Sequence, residues 1–155
     1  MADAAVKRPD TALSITRVFD APRDRVWRAW SDPIEASKWL GPGGWTGTYK
    51  SSNMNPGGRY TIEMRHEDGD LMVAEGVFRE VVPMAKLVYT WAWRGDDGKP
   101  GRETLVTVTF KAVGYKTELT LRHEGFDSKE ATDNHEAGWN GCFDKLVEFL
   151  KRESK

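Results

Sequence analysis

The chain has 155 residues, the size of a single globular domain, and at that length it should bury roughly 68–70 % of its unfolded surface without a disulfide or metal staple. Lys+Arg 23 against Asp+Glu 24 gives a net charge of −1, so no basic surplus draws it to nucleic acid. Trp 7, Phe 6 and Tyr 4 exclude the disordered class, and the lone Cys142 excludes an internal disulfide or a cysteine-rich zinc site.

The first eleven residues read as a loose arm, without the apolar run of a signal peptide. No segment approaches the 18 or so apolar residues of a membrane span. A soluble, reduced, cytoplasmic protein is the expectation. A single domain then runs from residue 12 to 152. TALSITRVFD alternates as a strand, with Leu13, Ile15 and Phe19 on one side and Arg17 as the polar exception.

DAPRDRVWRAW reads as a short helix starting at Asp20 or Ala21, with Pro22 in its first turn. A second helix follows, running from an Asp32 cap through Pro33 and stopped by Gly41 and Pro42. Glu35 completes a variant capping box.

From Trp45 to His123 the hydrophobic period switches to two. Strands are expected at 45–53, 58–66, 71–82, 86–94, 103–112 and 116–123, and the short turns between them make an antiparallel meander. A two-residue Asp68-Gly69 hairpin would set His66 opposite Leu71, Met64 opposite Val73, Ile62 opposite Glu75 and Tyr60 opposite Val77. That face is apolar apart from His66 and Glu75. Glu75 would need a partner such as Arg79 or Arg17, or carry a raised pKa.

From Asp127 or Ser128 to about Lys151 the spacing is helical again. Its stripe is Trp139, Phe143, Leu146 and Leu150, widened by Ala131, His135, Gly138 and Cys142. The order β-α-α-β₆-α is an α+β helix-grip: an antiparallel sheet curled around a long C-terminal helix, with two short helices after the first strand.

No catalytic motif is present. His66, His123 and His135 are each followed by Glu, but none has a second His four residues on, and no G-x-S-x-G or phosphate-binding glycine pattern occurs. No metal, flavin or nicotinamide cofactor is expected. The tryptophans have two readings, as packing and as the wall of an apolar ligand pocket.

FDAPRDRVWRAWSDPIEASKWLGP, NPGGRY, EGVFREVVPMAKLVYTW, LRHEGF and HEAGWNGCFDKL together resemble bacterial proteins related to the activator of heat-shock-protein-90 ATPase, within the START-like, SRPBCC superfamily. The likeness covers about Leu13 to Leu150. It implies the birch-pollen-allergen-like form of the helix-grip, a curved seven-stranded antiparallel sheet with a hydrophobic cavity between sheet and helix. Superfamily members bind lipids, sterols, polyketides or plant hormones, and a minority are enzymes.

The cavity candidates are Trp39, Tyr60, Ile62, Met64, His66, Val73, Glu75, Val77, His135, Trp139 and Cys142. The expected partner is a small hydrophobic or amphipathic molecule. The alternatives are a chaperone or other protein partner, and a cyclase- or hydrolase-type enzyme pairing Glu75 with His66 or His135.

Overall fold

A computed structural model of the chain describes residues 11–153; of the expected N-terminal arm, residues 1–10 lie outside them. Strand β1 (Ala12–Phe19) leads into helices α1 (Arg23–Ser31) and α2 (Pro33–Ala36). Six strands follow: β2 (Trp45–Ser52), β3 (Arg59–His66), β4 (Leu71–Val82), β5 (Lys86–Trp93), β6 (Thr104–Val113) and β7 (Lys116–Glu124). Helix α3 (Lys129–Glu153) closes the order. The seven strands form one curved antiparallel sheet, ordered β1-β7-β6-β5-β4-β3-β2. β2 to β7 are a plain meander, and α1 and α2 carry the chain from one edge of the sheet to the other.

Helix α3 is about 37 Å long at ~1.5 Å per residue. The Ser128 hydroxyl caps its start by accepting from the Ala131 amide at 3.1 Å. Phe143, Leu146, Phe149 and Leu150 bury against the concave sheet face, which supplies Leu13, Phe19, Val106, Val108, Leu119 and Leu121. Apolar residues every three or four positions on a helix and every second position on strands meet on one surface, and that contact is the core. Arg17, the polar exception in β1, reaches Asp144 at 2.9 Å and the Asn140 carbonyl at 3.2 Å, tying strand to helix.

The two short helices differ from expectation in their ends. α1 begins only at Arg23, because the backbone of Pro22, at the cap position, is extended (ψ 161°) rather than helical. Asp32 does cap α2, accepting from the amides of Ile34 at 2.9 Å and Glu35 at 3.4 Å. Glu35 does not complete a capping box. Its carboxylate turns to Arg25 at 2.7 Å and Arg28 at 3.1 Å, since two guanidiniums outcompete one amide already bonded to the Arg28 carbonyl. Nor does α2 reach Gly41. It ends at Ala36, and residues 37–39 form a turn that delivers Trp39 into the core.

The β3–β4 hairpin is shifted by one residue from the expected register. Its loop has three residues, Glu67 to Gly69, closed by the His66 amide donating to the Asp70 carbonyl at 2.8 Å. Gly69 takes φ +103°, the left-handed position that such a three-residue turn requires. Arg65 therefore faces Leu71, Met64 faces Met72, Ile62 faces Ala74 and Tyr60 faces Gly76. One residue of slip exchanges the two faces of a strand. Met72, Ala74 and Gly76 point to the helix side, while Val73, Glu75 and Val77 are on the other.

Candidate functional site

Between α3, the β3–β5 part of the sheet and the loop after α2 lies a cavity of about 570 Å³. β5 supplies Trp91 and Trp93, two positions apart on one face of the strand. α3 supplies His135, Gly138, Trp139 and Cys142, which recur at helical spacing. Met64 and Met72 come from β3 and β4, Leu40, Pro42 and Trp45 from the loop and the start of β2, and Asn134 stands exposed at the rim. Among the described residues, no charged side chain is in this wall.

The aromatic rings are continuous with the core. Trp39 packs on Trp30 with centroids 4.8 Å apart, Trp30 stacks on Trp139 at 6.1 Å, Trp139 meets Trp91 at 5.9 Å, and Trp91 meets Trp93 edge-on at 5.3 Å. Five of the seven tryptophans thus run in contact from the short helices to the cavity. Such ring pairs add about 0.5–1.5 kcal/mol each beyond the area they bury.

Two histidines stand behind or within this wall. An indole nitrogen can only donate. The Trp93 N–H donates to Nε2 of His135 at 3.0 Å, so Nδ1 of His135 carries the proton and donates to the Ala131 carbonyl at 2.7 Å. Likewise the Trp139 N–H donates to Nδ1 of His123 at 3.1 Å, and Nε2 of His123 donates to the Thr104 hydroxyl at 2.7 Å. That hydroxyl in turn donates to the Trp91 carbonyl at 3.0 Å. Burial holds both imidazoles neutral, pushing His123 down to about 3 and His135 in the same direction. Burial raises the Cys142 thiol to about 11, so it stays protonated. The cavity wall therefore carries no charge at neutral pH.

Of the residues expected to face the cavity, Met64, His135, Trp139 and Cys142 line it. Trp39, Tyr60 and Ile62 are buried one layer away. The Trp39 N–H donates to the Ala29 carbonyl at 3.0 Å, and the Tyr60 hydroxyl donates to the Thr90 carbonyl. Val73, Glu75 and Val77 are turned away by the register. Glu75 pairs with Arg94 at 2.9 Å, not with Arg79 or Arg17. His66 lies outside the cavity against Trp45, ring centroids 4.8 Å apart, and accepts from the Asp68 amide. The expected pairing of Glu75 with His66 or His135 is not assembled.

Trp45, Met72, Trp91 and Trp93 line the cavity without having been expected there. The signal for the last two was present: Tyr89, Trp91 and Trp93 alternate along one strand. A second, polar cleft lies beyond Trp45, with Arg65, His66, Glu67 and Lys145 around it. Its lysine is already engaged, donating to the carbonyls of Trp45 at 2.8 Å and Pro42 at 3.3 Å. No helix among the described residues is long and apolar enough to cross a membrane.

The fold is shared with solved structures. A protein from Chromobacterium violaceum is 26% identical, with a TM-score of 0.82 over 90% of this chain and 96% of that one. The AHSA1 protein of Silicibacter pomeroyi is 25% identical, with a TM-score of 0.84 over 92% and 99%. A protein from Arthrobacter aurescens, 24% identical over 94% and 90% with a TM-score of 0.86, shares the fold. No curated protein matches the sequence significantly. The family model described as "Activator of Hsp90 ATPase homolog 1-like protein" matches residues 20–151. With that match across most of the chain, and with the helix-grip fold in place, the protein belongs to the START-like family of activator of Hsp90 ATPase homologues.

Proposed function

We propose that this protein binds a small hydrophobic molecule between its sheet and its C-terminal helix, and that it holds the molecule rather than transforming it. The observation that carries this reading is the open, uncharged space of about 570 Å³ beside the buried core. Its lining is almost wholly apolar and aromatic with a few polar groups, which is the make-up of a small-molecule site. Against catalysis stands the state of His135. Both its nitrogens are already bonded, and no carboxylate lines the cavity to work with it.

At about 0.3 kcal/mol per atom, a ligand of roughly twenty heavy atoms binds with a Kd of some tens of micromolar. Such a ligand at about 1 mM stabilises the fold by about 2 kcal/mol and raises Tm by roughly 4–8 °C. The test is a thermal-shift screen of sterols, fatty acids and aromatic polyketides, run on the wild type and on Gly138→Leu. A Cβ on Gly138 meets nothing within 4 Å, so a leucine there has room to project into the cavity and narrow it beside Trp139 and Cys142. Shifts in the wild type that vanish in Gly138→Leu are expected. No shift with any class would sink the reading.

The family's description motivates a second reading, a chaperone partner. It predicts that the purified protein accelerates ATP hydrolysis by an Hsp90-type chaperone, and an unchanged rate would remove it.

A further inference from the structure

We propose that the molecule this cavity takes is uncharged, flat and aromatic, an inference that rests on the binding reading above and narrows it. Four of the lining residues are indoles, Trp45, Trp91, Trp93 and Trp139, and two more are the thioethers Met64 and Met72. The indole planes are set at steep angles, 85° between Trp91 and Trp93 and 56° between Trp91 and Trp139, so they present both faces and edges toward one space. Flat π-systems complement such corners, since ring faces are negative and ring edges positive. A flexible alkyl chain would gain contact area only by freezing its rotors.

The wall also rejects charge. Among the described residues it has no lysine, arginine or carboxylate, and His135 and Cys142, its titratable members, are held neutral by burial. Three donors of the wall are already engaged, while the Trp91 N–H is buried without a partner and stands as a single neutral donor. Trp93 and Trp139 give their N–H groups to His135 and His123, and Nδ1 of His135 is bonded to Ala131. A carboxylate or sulfonate inside would lose its water shell with little in return. A cation would be drawn to the ring faces, but with no carboxylate in the wall it would enter without the partner that offsets its lost hydration. The charges of the adjoining polar cleft, Arg65, Glu67 and Lys145, stand beyond Trp45 and are not part of this wall.

The experiment uses two fluorescent probes that share one scaffold. N-phenyl-1-naphthylamine is neutral, and 8-anilino-1-naphthalenesulfonate adds a sulfonate. A naphthalene bearing a trimethylammonium group gives the cationic arm, and 1-dodecanol, read by displacement, gives the neutral aliphatic one. Each affinity is taken from the signal lost in Gly138→Leu, with Gly138→Ala as the variant that keeps most of the space. Energy transfer from tryptophan reports that the probe sits within the indole wall.

The neutral amine should bind at least about tenfold more tightly than the sulfonate, the ammonium or the alcohol, and Gly138→Ala should retain it. A sulfonate or ammonium that binds the cavity as tightly as the amine would overturn the charge rule, and an equally tight alcohol the aromatic one; either leaves the cavity itself established. A neutral amine that fails to bind, or binds Gly138→Leu equally well, would instead overturn the binding reading on which this inference rests.

Discussion

The indole N–H of Trp139, on the inward side of α3, donates to Nδ1 of His123 near the end of β7 across 3.1 Å. This bond joins the last helix to the last strand, and it needs a neutral imidazole, because a protonated one has no lone pair to accept with. His123 is fully buried, and the second histidine, His135, stands 5.4 Å away ring to ring.

Stability should therefore fall on acidification. Burial lowers the pKa of His123 from its ordinary 6.5 to about 3. Between those values the unfolded chain binds a proton that the native chain refuses, so the contribution is complete above about pH 6.5 and is lost as pH falls toward about 3. The slope from this group is about 1.4 kcal/mol per pH unit. His135, shifted in the same direction, adds to it. Between about pH 7 and about pH 5, urea melts of the wild type should lose about 2 kcal/mol that His123→Gln keeps. Parallel slopes would show that His123 titrates normally.

Two glycines three residues apart on α3 should respond in opposite ways to alanine. Gly138 faces open space, so Gly138→Ala should stabilise by about 1 kcal/mol through helix propensity alone. At Gly141 a Cβ would come within 2.8 Å of Pro42 Cβ and 3.1 Å of its Cα. Gly141→Ala must push the helix away from the loop that borders the cavity, and overpacking of this kind costs about 1–3 kcal/mol. Equilibrium melts of the two variants decide the matter, and a stabilised Gly141→Ala would mean that the loop yields freely.

Leu146→Ala should cost about 2–5 kcal/mol, because Leu146 is fully buried between α3 and the sheet. Two residues on, Glu148 is exposed and pairs with Lys151 at 3.5 Å. Glu148→Ala should change stability by less than about 0.5 kcal/mol. Similar costs for the two would contradict the helix orientation.

What the sequence determined by itself is whatever depends on neighbours a few residues away. The period of two from Trp45 to His123 and the stripe through Trp139, Phe143, Leu146 and Leu150 place every strand and the long helix within a residue or two of their observed ends, since side-chain direction follows from backbone period alone. The Asp32 cap was equally legible, its acceptor lying two and three residues from its donors. The identity of the cavity wall was not. Whether Met72 or Val73 faces α3 turns on one residue of loop length between His66 and Asp70, and both two- and three-residue turns fit Glu67-Asp68-Gly69. The chemistry of the wall was further out of reach. His135 is inert and Glu75 is paired with Arg94 because Trp93, 42 positions away in the chain, and Arg94, across the sheet, come within hydrogen-bonding distance only after folding. Tertiary packing alone decides which lone pairs and charges remain free, and here it leaves the cavity with rings and no charge.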